Sequence, residues 1–375
     1  MSILIEGVTP VCLGEYSKKL SVRISNEGIV EKISGDLQKE KGDRIITGDN
    51  LYISPGWIDI HTHIYYGVSD LSIPPEMCGP VTGATVLVDA GSSGDANFIG
   101  FRDYIIKPSY FPIFAFINIG SMGLVLSGRI SENDIREKIN INNLIHVIKE
   151  NRQFIKGIKL RASNDLLRGS GTEIVRISKE AAKEGNLPLV VHVGESPPLM
   201  EEVVALLDKG DIVTHVYHGK RYGMYRGNNV HLAIKEAYER GVIFDVGHGA
   251  ESFSFDIAEK AISDGYRPFT IGTDIHIRNV KGPVYNLSTT MSKLYNLGLT
   301  FEEVIKGVTI NPAEILNIES FRDTVHNKPA RFTIFSLEET EREYSDSTGV
   351  KRIFGKAIVP KYSIISNRIT ECRPI

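Results

Sequence analysis

Short β-branched apolar runs alternate along most of the chain with stretches of helical period, and polar residues collect at the ends of the runs. Apolar runs of four to eight residues bounded by turn residues read as strands, whereas apolar positions three and four apart read as helices. Strands are expected on this basis over 53–60, 84–90, 111–118, 154–160, 188–193, 211–216, 242–247 and 268–273. Helices are expected over 172–184, 197–207, 230–240 and 255–264, with Gly185, Gly210, Gly241 and Gly265 just past their ends, where glycine relieves left-handed backbone. Residues 275–318 continue helix-rich. Eight strands alternating with helices close a parallel (β/α)8 barrel of the TIM type.

The two ends of the chain read differently. Residues 3–50 hold several short strands and no helical period, and residues 330–365 turn β-like again, as in Phe332-Thr333-Ile334-Phe335. We therefore expect a small β-sandwich built from residues 1–52 and 326–375, flanking a barrel over 53–325. The charge run Glu338-Glu339-Thr340-Glu341-Arg342-Glu343 reads as a solvated hairpin.

A length of 375 residues suits one such barrel plus a small accessory domain. A formal charge of −3 without a basic block leaves no electrostatic footprint for nucleic acid, so small neutral or anionic molecules are the expected partners, and a homo-oligomer is left open. Cys12, Cys78 and Cys372 are far apart and read as reduced thiols of a cytoplasmic protein. The first residues lack a basic segment followed by a long apolar one, so no secretory signal is expected. Residues 108–128 are uncharged and long enough on paper to cross a bilayer, but Pro112, Gly120 and Gly123 interrupt them, which fits a buried strand and a glycine loop.

The chemistry gathers at the strand ends. His61-Thr62-His63 closes the first apolar run, and side chains at i and i+2 share a face, so two imidazoles converge where no apolar core needs them. The same logic puts Lys159, His192, His215 and Asp274 at the ends of other strands. In a parallel barrel the C-terminal strand ends open on one face, so these groups meet.

This order of residues resembles the amidohydrolase superfamily of binuclear metallohydrolases, and within it the dihydroorotase-like amidohydrolase/deacetylase branch. The resemblance spans nearly the whole chain and is strongest at Gly157-Ile158-Lys159-Leu160-Arg161, Asp245-Val246-Gly247-His248-Gly249 and Thr273-Asp274-Ile275-His276. It implies two divalent metal ions, with zinc suited to imidazole and carboxylate ligands. His61, His63 and Asp274 would hold one ion and His192 and His215 the other, with Lys159 bridging both as an N6-carboxylated lysine. Lys156 is a rival in the same strand, but three residues away it faces the opposite side. Two departures stand out: His218 occupies a position where this branch commonly has asparagine, and Ala330-Arg331-Phe332-Thr333 replaces an Ala-Asp-Leu-type sequence.

The resemblance further implies that a water shared by the ions attacks an acyl carbon, with Asp274 as the catalytic acid-base group. Arg161, two residues beyond Lys159, is placed to clamp a substrate carboxylate, and His248 between two glycines is a second candidate for substrate binding. Three functional readings follow. They are hydrolysis of an amide or ester of a small carboxylate, such as an N-acyl amino acid or acylated hydroxy acid; ring opening of a cyclic amide; and a scaffold that kept the fold without the chemistry.

Overall fold

The computed structural model describes residues 1–127, 139–164, 170–318 and 326–373. Seven parallel strands, Trp57–Thr62, Ala84–Ala90, Ile113–Asn118, Ile155–Arg161, Leu189–His192, Ile212–Thr214 and Ile243–Asp245, pair in chain order. Their apolar residues are covered on both faces, as a parallel sheet requires, and Ala84–Ala90 is buried at every position. Parallel bridges from Asp245 to Thr270 and from Thr62 to Ile275 join the two edges of this sheet through one further segment, closing the TIM-type barrel.

The expected eighth strand over 268–273 is that segment, but it is held differently from the others. Only single bridges tie it to its neighbours, because carboxylates take over part of the ladder: Asp245 Oδ1 accepts from Gly272 N at 2.9 Å and Asp59 Oδ1 from Thr273 N at 3.1 Å. Gly272 has no room for a side chain, since a Cβ there would lie 2.6 Å from His61 Cβ.

The helices follow the sequence with local corrections. Leu232–Arg240 ends on Gly241 at φ 91°, and Phe255–Ser263 is followed by Gly265 at φ 92°, both as expected. Glu173–Gly185 instead keeps Gly185 inside, and Asn186 takes the left-handed cap at φ 47°, a conformation asparagine tolerates. The helix expected over 197–207 shrinks to Met200–Val204. Pro197 and Pro198 disfavour helical backbone before it. After it, Leu206 N and Leu207 N donate to Val203 O and Val204 O, tightening the last turns, so Gly210 lies in a separate turn.

Both ends of the chain build one flanking sheet. Tyr52–Pro55 pairs in parallel with Ile3–Pro10 and antiparallel with Arg331–Ser345. Its core contains Ile3, Ile5, Val22, Ile24, Phe332, Ile334 and Ile364. The boundary expected at 325 lies outside the described residues. Arg331–Ser345 and Lys351–Ile365 form a long hairpin, and the charge run lies on it, with Glu338 paired to Lys361 at 2.7 Å and Glu343 to Lys351 at 2.8 Å. The hairpin tip reaches the barrel, where Ser347 N donates to Phe253 O at 2.9 Å and Asp346 Oδ2 accepts from Phe255 N at 2.9 Å.

The uncharged stretch after Pro108 contributes the barrel strand Ile113–Asn118, and no helix among the described residues is long and apolar enough to cross a membrane. Cys12, Cys78 and Cys372 carry free thiols.

Candidate active site

The C-terminal ends of the barrel strands carry a buried imidazole cluster. His61, His63 and Asp274 bring ligand atoms within 4.8 Å of one another. His63 Nε2 lies 3.0 Å from Asp274 Oδ1 and His61 Nε2 lies 3.5 Å from the same oxygen. Lys159, 1% exposed, places Nζ 3.3 Å from His61 Nε2. The ring centroids of His61 and His215 are 5.2 Å apart, and those of His192 and His215 are 4.3 Å apart. Lys156, by contrast, is half-buried over the Phe114 ring, on the other face of its strand.

Three of the imidazoles have Nδ1 tied to the protein. His61 Nδ1 lies 3.1 Å from Thr214 Oγ1, whose own hydroxyl donates to Asp245 Oδ2 at 2.6 Å. His63 Nδ1 lies 3.0 Å from Ser92 Oγ. His215 Nδ1 lies 2.5 Å from Gly247 O, a carbonyl that can only accept, so Nδ1 carries the proton and Nε2 the lone pair. That Nε2 is buried and has no hydrogen-bond partner among the described residues. A buried lone pair without a donor is costly, and a metal ion is the partner its chemistry suits.

The electrostatics agree with that donor set. Burial, then the Lys159 ammonium, holds His61 well below the usual histidine range, and burial likewise depresses His215 and brings His192 down to about 4. All three are therefore neutral at pH 7, the form that ligates. Burial lowers Lys159 to about 8 against the opposing pull of Asp274. For Asp274 burial pushes upward, but the hydrogen bond from His63, 3.0 Å away, and the polar ring of surrounding imidazoles outweigh it and keep the carboxyl well below its usual range.

Asp274 stands in left-handed backbone at φ 51°, a conformation costing on the order of 1 kcal/mol outside glycine. Its N–H donates to His61 O at 2.7 Å, and its carbonyl accepts from Asn279 Nδ2 at 2.8 Å. Gly249 packs against the carboxylate so closely that a Cβ would lie 2.7 Å from Asp274 Oδ2. Gly91 plays the same part for Lys159, where a Cβ would fall 2.8 Å from its Cγ.

Comparison with known proteins matches this frame. The amidohydrolase family model matches residues 52–354. The chain belongs to the amidohydrolase family. A deacetylase of Agrobacterium fabrum is 40% identical over 97% of this chain and 90% of its own length. The crystal structure of a dihydroorotase superposes with a TM-score of 0.93 at 38% identity, covering 100% of this chain and 99% of that one. That of an adenine deaminase does so with a TM-score of 0.91 at 31% identity, covering 98% and 99%. The chain is thus a hydrolase of the amidohydrolase family, and these three relatives carry three different activities on one frame.

Within this amidohydrolase the remaining expected groups fall at different depths. Arg161 pairs in register with His192 across adjacent strands, and its Nη1 lies 3.4 Å from Ser127 Oγ. His248 is fully buried, with Nδ1 2.9 Å from Gly249 O and Nε2 2.8 Å from Lys293 Nζ. Both its ring nitrogens are thus engaged by the protein, which gives it a framing rather than an open, substrate-facing position. His218 Nδ1 accepts from Lys220 N at 3.2 Å, and burial brings this imidazole down to about 4. His276 lies beside His63, with ring centroids 6.2 Å apart.

Sequence reasoning missed the supporting carboxylates and Lys293. Asp59 and Asp245 hold the eighth segment, and Asp89 accepts from Ile64 N at 2.9 Å and Ser92 N at 2.7 Å. A lone acid inside an apolar run, two residues before His61 in the case of Asp59, was the available signal. Lys293 offered none, because its helix reads as an ordinary mix of apolar and polar positions. A cavity of about 1060 Å³ opens at the opposite strand ends, beside Pro188, Asp211 and Phe269, away from this chemistry.

Proposed function

We propose that the chain is a binuclear metal-dependent hydrolase that cleaves an amide or ester of a small carboxylate, of the deacylase type. The observation that carries this reading is the orphaned, buried lone pair of His215 Nε2 beside the His61, His63 and Asp274 cluster. In this reading His61, His63 and Asp274 would hold one ion and His192 and His215 the other, with Lys159, as an N6-carboxylate, a ligand to both. Its lowered pKa favours that modification, since only a neutral amine attacks carbon dioxide. Zinc suits the donor set. When bound, the ions supply a water acidic enough to attack near neutral pH and polarise the acyl carbonyl.

The chain's own groups supply the rest. Asp274, depressed and ionised, accepts the proton of the attacking water and passes it to the leaving nitrogen or oxygen. Thr214 and Ser92 hold His61 and His63 in orientation. Arg161, across from His192, is the group for a substrate carboxylate.

The Agrobacterium deacetylase, alike over nearly the whole length, supports deacylation. The dihydroorotase structure supports ring opening of a cyclic amide as the second reading. A hydrolysis screen of the metal-loaded protein across N-acyl amino acids, acylated hydroxy acids and cyclic ureides separates them. Release of the acyl group from the first two classes is expected; turnover of cyclic ureides alone would replace this reading with the second.

A further inference from the structure

We propose that Lys293 is a positioning residue for Asp274, acting through the His248–Gly249 loop, and that the tip of the C-terminal hairpin is part of the same clamp. The inference rests on the reading of Asp274 as proton carrier and ligand. Lys293 lies in the helix Leu287–Asn296 and is 0% exposed. Its ammonium contacts three separate segments, at 2.8 Å from His248 Nε2, 2.7 Å from Pro283 O and 2.8 Å from Ser345 O. Three donors meet three acceptors, the condition under which a buried cation is tolerated. A methionine would fill much of this volume without the desolvation cost, so what the lysine adds is the tying of those segments together.

Two of these segments lead to Asp274. His248 N donates to Gly272 O at 3.1 Å and Gly249 N to Thr273 O at 2.9 Å, which fastens the loop to the two residues before Asp274. From Pro283 the path runs through a turn in which Gly282 N and Tyr285 N donate to Asn279 O, and Asn279 Nδ2 donates to Asp274 O. The strained aspartate is therefore flanked on both sides by loops that converge on one ammonium. The third segment brings in the hairpin: two residues beyond Ser345, Ser347 Oγ donates to Gly249 O at 2.9 Å, the carbonyl that His248 Nδ1 also contacts. The His248 tautomer follows, with Nδ1–H donating to that carbonyl and Nε2 accepting from Lys293.

The test compares wild type, Lys293→Met, His248→Leu and the double variant. Backbone hydrogen exchange on the metal-free proteins should quicken over 247–249 and 272–279 in both single variants, and in Lys293→Met also over 280–285 and 345–347, with the double variant no faster than Lys293→Met. With metal loaded, kcat should fall at least about tenfold while KM stays within about twofold, the pattern of a group that matters in the transition state. Unchanged exchange over 272–279 overturns the clamp, as does exchange quickened throughout the barrel, which marks a merely structural lysine. Should Lys293→Met fail to fold, His248→Leu, which removes the lysine's partner on the loop, carries the test: faster exchange over 247–249 and 272–279 supports the clamp, and wild-type exchange overturns it. Localised exchange changes in a chain whose wild type hydrolyses nothing contradict the hydrolase reading and leave the clamp standing.

Discussion

Asp274 and His61 are joined twice: the Asp274 N–H donates to His61 O at 2.7 Å, and the Asp274 carboxylate lies 3.5 Å from His61 Nε2. The backbone bond closes the barrel where the first strand meets the last segment, so the closure that completes the fold also sets the distance between the two side chains. Fold and chemistry share this point, and a change at Asp274 must be chosen to spare the first while removing the second.

Asp274→Asn meets that condition, because asparagine tolerates the left-handed backbone at φ 51° and retains the N–H. It cannot take up a proton. We expect kcat to fall by about 10²- to 10⁴-fold with a smaller change in substrate affinity, and the thermal midpoint of the metal-free protein to drop, because a carboxylate held below its usual range stabilises the fold at neutral pH. Steady-state kinetics on the metal-loaded variant measures this, and near-normal turnover would remove Asp274 from proton transfer.

Lys159→Ala should lower bound metal to at most about one ion per chain and abolish activity, with short carboxylic acids restoring part of it by replacing the missing anionic bridge. Lys156→Ala, changing a half-buried residue over the Phe114 ring, should leave metal and rate unchanged. Elemental analysis of both variants decides between the two lysines. The reverse pattern would overturn the assignment.

Much of this was legible in the sequence, because period-two parity and strand ends are local properties. Parity puts His61 with His63 and, together with the family pattern, favours Lys159 over Lys156. What was not legible depended on contacts distant in sequence. The segment over 268–273 reads as a full strand, but its ladder is partly replaced by Asp59 and Asp245, 214 and 27 residues away from the N–H groups they satisfy. Lys293 is in the same position, since its three partners come from three other segments. The cap at Asn186 is a narrower departure: the sequence marks Gly185 as the left-handed position, and the helix runs one residue further.

Arg161→Met should weaken substrates bearing a carboxylate far more than their amide or methyl-ester analogues. Losing a charged hydrogen bond costs roughly 1.5–3 kcal/mol, which is about a ten- to hundredfold fall in kcat/KM for the charged substrates alone. Comparing two substrates on two enzymes cancels any general loss of folding or metal. Equal falls for charged and neutral substrates would make Arg161 structural.

His218 makes a pH prediction. Burial brings it to about 4, against an ordinary histidine value near 6.5 in the unfolded chain. Between those values the unfolded state binds the extra proton, so stability from this group is present above about pH 6.5 and is lost as pH falls toward 4. Protonation would also break the bond Nδ1 accepts from Lys220 N. The stability difference between wild type and His218→Asn should therefore rise with pH by up to about 1.4 kcal/mol per unit across this window. Denaturant unfolding of the metal-free proteins at several pH values measures it, and a difference independent of pH would contradict the assigned protonation.

The most direct test of the central claim is the metal content of the purified chain, measured by elemental analysis alongside acyl-group release before and after chelation. The account predicts two divalent ions per chain, activity lost on their removal and recovered on adding zinc. A chain that comes out empty and takes up no metal, or one that hydrolyses equally well without it, would contradict it.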